Sequence, residues 1–490
     1  MQAVGEIIAE GIRTERSSLV RVQEEQYLCA PINGKGETDG RPCAMISHPC
    51  GNMDIFRMNK RILKIAIPAI ATNITVPLLS LVDLAIAGHL GSVVYICAIS
   101  VGGTLINMLY WTFGFIRMST SGLTAQSFGA KNHSESIHLL LRSILIALSA
   151  CLLIFLMKGV IQKYAFAYMN TAPEVEEAAA YYFNLCVFGA PAVMCMYSVK
   201  GWFIGMQNSV YPMIIAISIN VINILCSLLF VIGLDLGITG IAMGTLVAQY
   251  SGLALAFFLW KHKYGDLVPL ISKQEVLDAS KLKRLVSLNG SIAIRTVCLT
   301  AVTTFFTLAG AKQGTTLLAV NTLLIQFFSI FSYFTDGFAY AGEALTGRYI
   351  GAKDPANLSK SIRYIFLWGL GLVVVFTFAY QFFTIDFLHL LTNETATILA
   401  AEDYLIWVVA IPICGFSAFL WDGIMVGATM AKGMVTAMVC ATILFFLLYN
   451  LLIGRIGNDG LWIAFLAYLS MRGIVQFIYF KIKQKGLIKY

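Results

Sequence analysis

The sequence predicts an all-α polytopic membrane protein of about twelve transmembrane helices, arranged as two six-helix lobes related by a pseudo-twofold axis. Three observations carry that expectation. Of 490 residues, 58% are hydrophobic and only 12% charged, roughly half the charged share of a soluble chain. Apolar stretches of roughly 20 residues, the length that crosses a bilayer as a helix, recur from one end to the other. The sequence also repeats itself. Gly129-Ala130-Lys131 falls on Gly351-Ala352-Lys353, a shift of 351 − 129 = 222. The same shift places Leu123-Thr124 on Leu345-Thr346 and Gly201-x-x-x-Gly205 on Gly423-x-x-x-Gly427. An even number of spans per half preserves orientation, so the halves are expected to be parallel, with their axis along the membrane normal.

Residues 1–57 form a polar tail without a spanning run or the apolar stretch of a signal peptide. It is expected to be disordered, or left untranslated if synthesis starts at Met53 or Met58. Cys29, Cys43 and Cys50 lie there with His48, but no C-x-x-C pair exists and no metal site is expected. Residues 58–260 make the first lobe, 261–284 a basic cytoplasmic linker, and 285–490 the second lobe. Lys and Arg gather at 57–64, 261–284, 348–363 and 481–489, whereas the alternate loops hold only a few, such as Lys158, Lys163, Lys312 and Arg455. That asymmetry is the positive-inside pattern, and it places both termini in the cytoplasm. It accounts for the net charge of +8 without a nucleic-acid partner. The remaining eight cysteines are scattered through apolar segments, where no disulfide framework is expected.

The first span carries an anomaly. Asp83 interrupts the apolar run 62–87. A carboxylate at membrane depth costs several kcal/mol unless it meets a polar cavity, a partner or a proton. With the N-terminus inside, it lies about five residues from the outer end of the span, roughly 7 Å deep. On the fifth span Asn220, Asn223 and Ser227 share one face. Thr245 on the sixth reaches a similar depth. These residues are expected to complete a coupling pocket around Asp83, although an amide such as Asn220 serves equally well to stitch helices together. Pro77, six residues before Asp83, removes a helix hydrogen bond and predicts a kink near Asn73. The second half places Asp336 and Glu343 around the inner end of the eighth span, and Asp422 at the inner end of the tenth. They are expected at the wet cytoplasmic mouth as gate or inter-lobe pairs, with Arg348 or Lys432 as partners. Arg295 is the deepest base, and its partner is open. Tyr110, Trp111 and Tyr197 suit an adaptable cavity, though packing is the simpler role for any one of them.

Pro77-Leu78-Leu79-Ser80-Leu81-Val82-Asp83, followed by His89-Leu90-Gly91-Ser92, resembles the first-span signature of the multidrug and toxic compound extrusion family, in its DinF-like branch. Phe113-Gly114-Phe115-Ile116-Arg117-Met118 resembles the second span of that branch. Asp336-Gly337-Phe338-Ala339 and Asp422-Gly423-Ile424-Met425-Val426-Gly427 resemble its second lobe. The resemblance implies a twelve-helix antiporter that exports amphipathic, often cationic, organic compounds in exchange for H⁺ or Na⁺. It maps the coupling acid onto Asp83, and pocket residues onto Asn223 and Thr245. Where many relatives carry a second acid, this chain has Ser227, which favours protons.

The expectation is therefore a secondary active multidrug efflux antiporter, monomeric, in the bacterial inner membrane. Its partners are small organic substrates and the lipid bilayer, and it needs no cofactor beyond the coupling ion. A Na⁺-coupled antiporter is one alternative. A flippase for a lipid-linked saccharide is another, but it calls for a strongly cationic cavity, and few intramembrane Lys or Arg are visible. A membrane enzyme would require HExxH, paired intramembrane aspartates or a Ser/His dyad, none of which is found.

Overall fold

The computed structural model describes residues 50–88, 93–169 and 172–487, which are helical almost throughout and contain no strand. Eleven of their segments are long and apolar enough to cross a membrane. The 39-residue helix α1, Cys50–Gly88, makes the twelfth. The tail residues Cys29, Cys43 and His48 lie outside the described residues, as does the 89–92 part of the first-span signature.

In the first lobe α1 is followed by α2 (Val93–Thr112) and α3 (Phe115–Gly129), which together form the second span. Next come α4 (His133–Met169), the fourth span α5 (Pro173–Cys186) with α6 (Ala190–Gly205), then α7 (Val210–Leu228) and α8 (Gly237–Tyr264). The linker carries a 3₁₀ segment, Gly265–Leu270, and one α-turn, α9 (Lys273–Val276). Lys281 clamps it by pairing with Glu135 at 3.0 Å and Glu275 at 2.5 Å. The second lobe comprises α10 (Ala279–Lys312), α11 (Thr315–Gly351), α12 (Pro355–Leu391), α13 (Thr395–Glu402), α14 (Leu405–Gly427), α15 (Ala431–Ile456) and α16 (Asn458–Leu487). Residues 50–57, assigned to the tail by composition, already belong to α1.

The 222-residue shift recurs in the backbone itself. Non-glycine residues rarely adopt positive φ, yet Lys131 and Lys353 both have φ 55°, and Gln207 and Thr429 have 63° and 55°. Asp235 at 53° corresponds to Gly457 at 57°. The helix after the first of these turns is capped alike in both halves. The Glu135 N–H donates to Asn132 Oδ1 at 2.9 Å, and the Asn357 N–H to Asp354 Oδ1 at 3.0 Å.

Each lobe buries its own core: Tyr110, Tyr182 and Phe183 in the first, Phe306, Phe331, Trp462 and Phe465 in the second. Large apolar side chains such as Leu156, Val374 and Phe382 point outward, as lipid contact requires. The lobes meet through α3 and α11. A Cβ on Gly129 would stand 1.9 Å from the Arg348 carbonyl oxygen, and one on Gly351 would stand 1.9 Å from that of Gln126. These are two contacts related by the repeat, since 129 + 222 = 351 and 126 + 222 = 348. Only glycine permits backbones this close. Hydrogen bonds reinforce the seam: Gln126 Nε2 donates to the Gly427 carbonyl at 2.9 Å, Gln207 Nε2 to the Ala344 carbonyl at 2.8 Å, and Arg61 to the Tyr349 hydroxyl at 3.1 Å. The lobes are thus sealed at the end that carries the α3–α4 and α11–α12 turns.

Candidate functional site

α1 runs without interruption through Pro68 and Pro77 and places Asp83 near its far end. The Asp83 Oδ1 atom is buried and has no hydrogen-bond partner. Tyr182 on α5 lies beside Thr245 and Cys186 and feels the charge of Asp83. Asn223 Nδ2 donates to Thr245 Oγ1 at 3.0 Å, which joins α7 to α8. Asn223 and Ser227 are fully buried, and Asn223 Oδ1 and Ser227 Oγ also lack partners. Gly244 makes this approach feasible, because a Cβ there would lie 2.3 Å from Ser227 Oγ. Asn220 faces α1 instead and donates to the Thr75 carbonyl at 2.8 Å, so it works as a fastener. Three buried acceptor oxygens without donors are costly in a folded protein. They suit an incoming proton or cationic group.

A second polar cluster lies along the lobe boundary. Arg117 on α3 pairs with Glu343 on α11 at 3.3 Å, with its guanidinium 4.2 Å from the centre of the Tyr340 ring. This ion pair does join the lobes, and Glu343 is 1% exposed. Asp422 on α14 behaves differently. It accepts hydrogen bonds from Arg295 on α10, from Arg472 at 2.7 Å and from Gln476 at 2.5 Å, the last two on α16. All four belong to the second lobe, so Arg295 and Asp422 do not form an inter-lobe pair. The reason is helical geometry: Gly423 turns toward the Ala339 carbonyl on α11, and its neighbour, about 100° round the helix, must face elsewhere. Arg348 stacks over Phe128 at 5.5 Å and pairs with no acid among the described residues. Asp336 makes no ion pair or hydrogen bond among the described residues, and sits in the field of Arg295, Asp422, Arg117 and Arg472. Lys200 on α6 stands where Asp422 stands in the other repeat, 422 − 222 = 200. Its charged neighbour is Arg117, and it forms no salt bridge among the described residues.

Two segments of the chain, residues 68–229 and 292–452, each match the MatE family model. The chain belongs to the MatE family. Its two matched segments correspond to the two lobes, and the membership makes it a multi-pass membrane transporter of the multidrug and toxin extrusion class. It is 34% identical over 424 residues to DNA damage-inducible protein F of Escherichia coli (strain K12), covering 85% of this chain and 90% of that protein. It is 22% identical to the probable multidrug resistance protein NorM of Photorhabdus laumondii, covering 88% and 97%. The crystal structure of the Vibrio cholerae MATE transporter VcmN in its bent form superposes with a TM-score of 0.79 at 17% identity, covering 89% of this chain and 99% of that one. That likeness establishes the twelve-helix fold.

In this MatE transporter Asn223 bonds Thr245, Ser227 packs against Gly244 beside Thr245, and Tyr182 stands between Thr245 and the electrostatic field of Asp83. Sequence reasoning missed Tyr182, Arg117, Lys200, Arg472 and Gln476 as site residues. A signal existed for Arg472 and Gln476: two polar residues four apart in an apolar span share one helix face.

Proposed function

We propose that this MatE protein is a secondary active efflux antiporter of the bacterial inner membrane. In this reading it exports amphipathic organic compounds in exchange for protons, with Asp83 as the coupling acid. The observation that carries the reading is the set of three unpartnered buried acceptors, Asp83 Oδ1, Asn223 Oδ1 and Ser227 Oγ, of which Asp83 alone ionises. A proton arriving from outside neutralises Asp83 and releases a bound cationic drug; its loss to the cytoplasm restores drug binding. One charge moved through 100 mV supplies about 2.3 kcal/mol before any pH gradient. Ser227 in place of a second carboxylate favours a proton over Na⁺, which is better held by several charged oxygens. The positive-inside pattern places both termini, and with them the sealed seam, on the cytoplasmic side. The name of the multidrug resistance relative supports the substrate class.

The test is drug efflux from proteoliposomes under an imposed pH gradient. Asp83→Asn keeps the shape but cannot titrate, so it is expected to insert normally and lose gradient-driven export. Wild-type efflux by that variant would refute the coupling role, and strict Na⁺ dependence would refute the proton. One observation favours the flippase alternative. The boundary cluster sets four cations, Arg117, Lys200, Arg295 and Arg472, against three acids, Asp336, Glu343 and Asp422. An excess positive charge suits a substrate with a phosphate or carboxylate group. In that reading Lys200→Gln lowers transport of acidic substrates and leaves cationic dyes unaffected.

A further inference from the structure

On the outer side of the second lobe, α12, α14 and α16 enclose a groove of about 790 Å³ that contains none of the ionisable residues of the two polar clusters. Phe366, Leu370, Trp421 and Phe477 make its walls apolar. Its mouth is not. Arg363 on α12 and Lys481 on α16 line the same groove near the sealed end of the molecule. Neither has an acidic partner among the described residues; the Lys481 ammonium rests 5.8 Å from the centre of the Phe477 ring. Arg363 lies eight residues inside the start of α12 at Pro355, and Lys481 six residues before the end of α16 at Leu487. At 1.5 Å per residue both are roughly 10 Å from the helix ends, within reach of the headgroup layer for long side chains that extend toward water. Leu370 lies seven residues deeper than Arg363, roughly 10 Å further toward the hydrocarbon.

This is the shape of a headgroup site above a chain-sized slot. Its charge is also particular to this lobe. Shifted by 222, Arg363 and Lys481 become Leu141 and Leu259, and Trp421 and Phe477 become Val199 and Leu255. The repeat therefore did not supply the basic pair or the aromatic walls. An exposed pair of unneutralised cations beside an apolar slot, at a bilayer interface, calls for a ligand with an anionic head and a hydrocarbon tail.

We infer that the groove binds an anionic phospholipid of the cytoplasmic leaflet, with its phosphate held by Arg363 and Lys481 and an acyl chain packed along Phe366, Leu370, Trp421 and Phe477. Trp421 precedes Asp422, whose ion pairs tie α14 to α10 and α16. The lipid thus packs directly on helices that hold the charged cluster of the second lobe.

Native mass spectrometry of the purified full-length protein, equilibrated with equal amounts of 1-palmitoyl-2-oleoyl phosphatidylglycerol and the matching phosphatidylcholine, tests this. Two basic residues near the surface are expected to enrich the retained lipid in phosphatidylglycerol roughly tenfold or more. The Arg363→Leu/Lys481→Leu double variant, which copies the first lobe, should retain the two lipids equally. Arg363→Lys/Lys481→Arg should keep the preference. Leu370→Trp, which fills the slot and leaves the charges intact, should lose it. An unbiased wild type would overturn the site. So would an unchanged preference in the double leucine variant. Preference surviving Leu370→Trp would overturn the acyl-chain slot and reduce the effect to surface charge.

Discussion

At the scale of single residues, Asp422 and Asp83 are both buried acids, and they do opposite things. Asp422 accepts hydrogen bonds from Arg295, Arg472 and Gln476. Asp422→Asn would leave the buried Arg472 and the partly buried Arg295 without the carboxylate they bond, at a cost of about 3–5 kcal/mol. A clear fall in melting temperature in detergent is expected. Asp336→Asn breaks no direct bond and should melt closer to wild type. Asp83→Asn removes a charge that has no partner at Oδ1, so its melting temperature should not fall even as coupled export is lost. Equal destabilisation by the Asp422 and Asp336 substitutions would contradict these assignments. Asp83 was legible in the sequence because a lone charge in an apolar run is anomalous whatever the fold. The partners of Asp422 were not. Choosing them requires the rotation of α14 about its own axis, which hydropathy does not encode; the neighbouring Gly423 sets it through a backbone contact.

At the scale of elements, the pocket depends on how closely α7 and α8 approach. Gly244→Ala would push a Cβ to 2.3 Å from Ser227 Oγ and 2.8 Å from the Ser227 backbone nitrogen. Overpacking of this kind costs about 1–3 kcal/mol. Because backbone must yield, the Asn223–Thr245 hydrogen bond is expected to break and export to fall; a fully active Gly244→Ala would show that the two helices separate without consequence. The caps respond differently to acid. Asp354, which lies between spans, has its carboxyl held below the usual carboxylate range by the Asn357 N–H. Its folded pKa is lowered, so the stabilisation is present above the ordinary value and disappears as pH falls through the lowered one. Asn132, at the same place in the first lobe, does not titrate. Hydrogen-exchange protection of the first turn of α12 should therefore drop on acidification while that of α4 holds. Polar side chains on α7 were readable as one face from their spacing alone. That Asn220 turns to α1 while Asn223 turns to α8 was not, since both lie on that face and only the neighbouring helices divide it.

At the scale of the whole molecule, the two-lobe plan was the most legible feature, because duplicated backbone turns leave duplicated sequence. The end at which the lobes close was not. Its main contacts join glycines to backbone carbonyls, and carbonyls belong to every residue. If the seam must open during the cycle, tying it shut should arrest transport. Gln126 Nε2 and Thr429 Oγ1 lie 3.2 Å apart across the lobes. A Gln126→Cys/Thr429→Cys pair, in a background freed of other cysteines and bridged by a short bifunctional thiosulfonate reagent, is expected to stop export until a reductant is added. Undiminished export by the bridged protein would mean that the lobes do not part there.

Lys200 and Asp422 hold one position in two copies of the same plan, yet carry opposite charges. Two identical subunits about a twofold axis cannot do this, because whatever side chain one presents the other must present as well. A homodimeric ancestor would have set lysine in both places or aspartate in both. Joining the copies into one chain lifted that restriction at the cost of a single linker. The glycines that pack against the opposite copy were kept in both halves, and the ionisable residues became free to differ, so that one half could keep a lone buried acid, Asp83, and the other an acid held by two arginines.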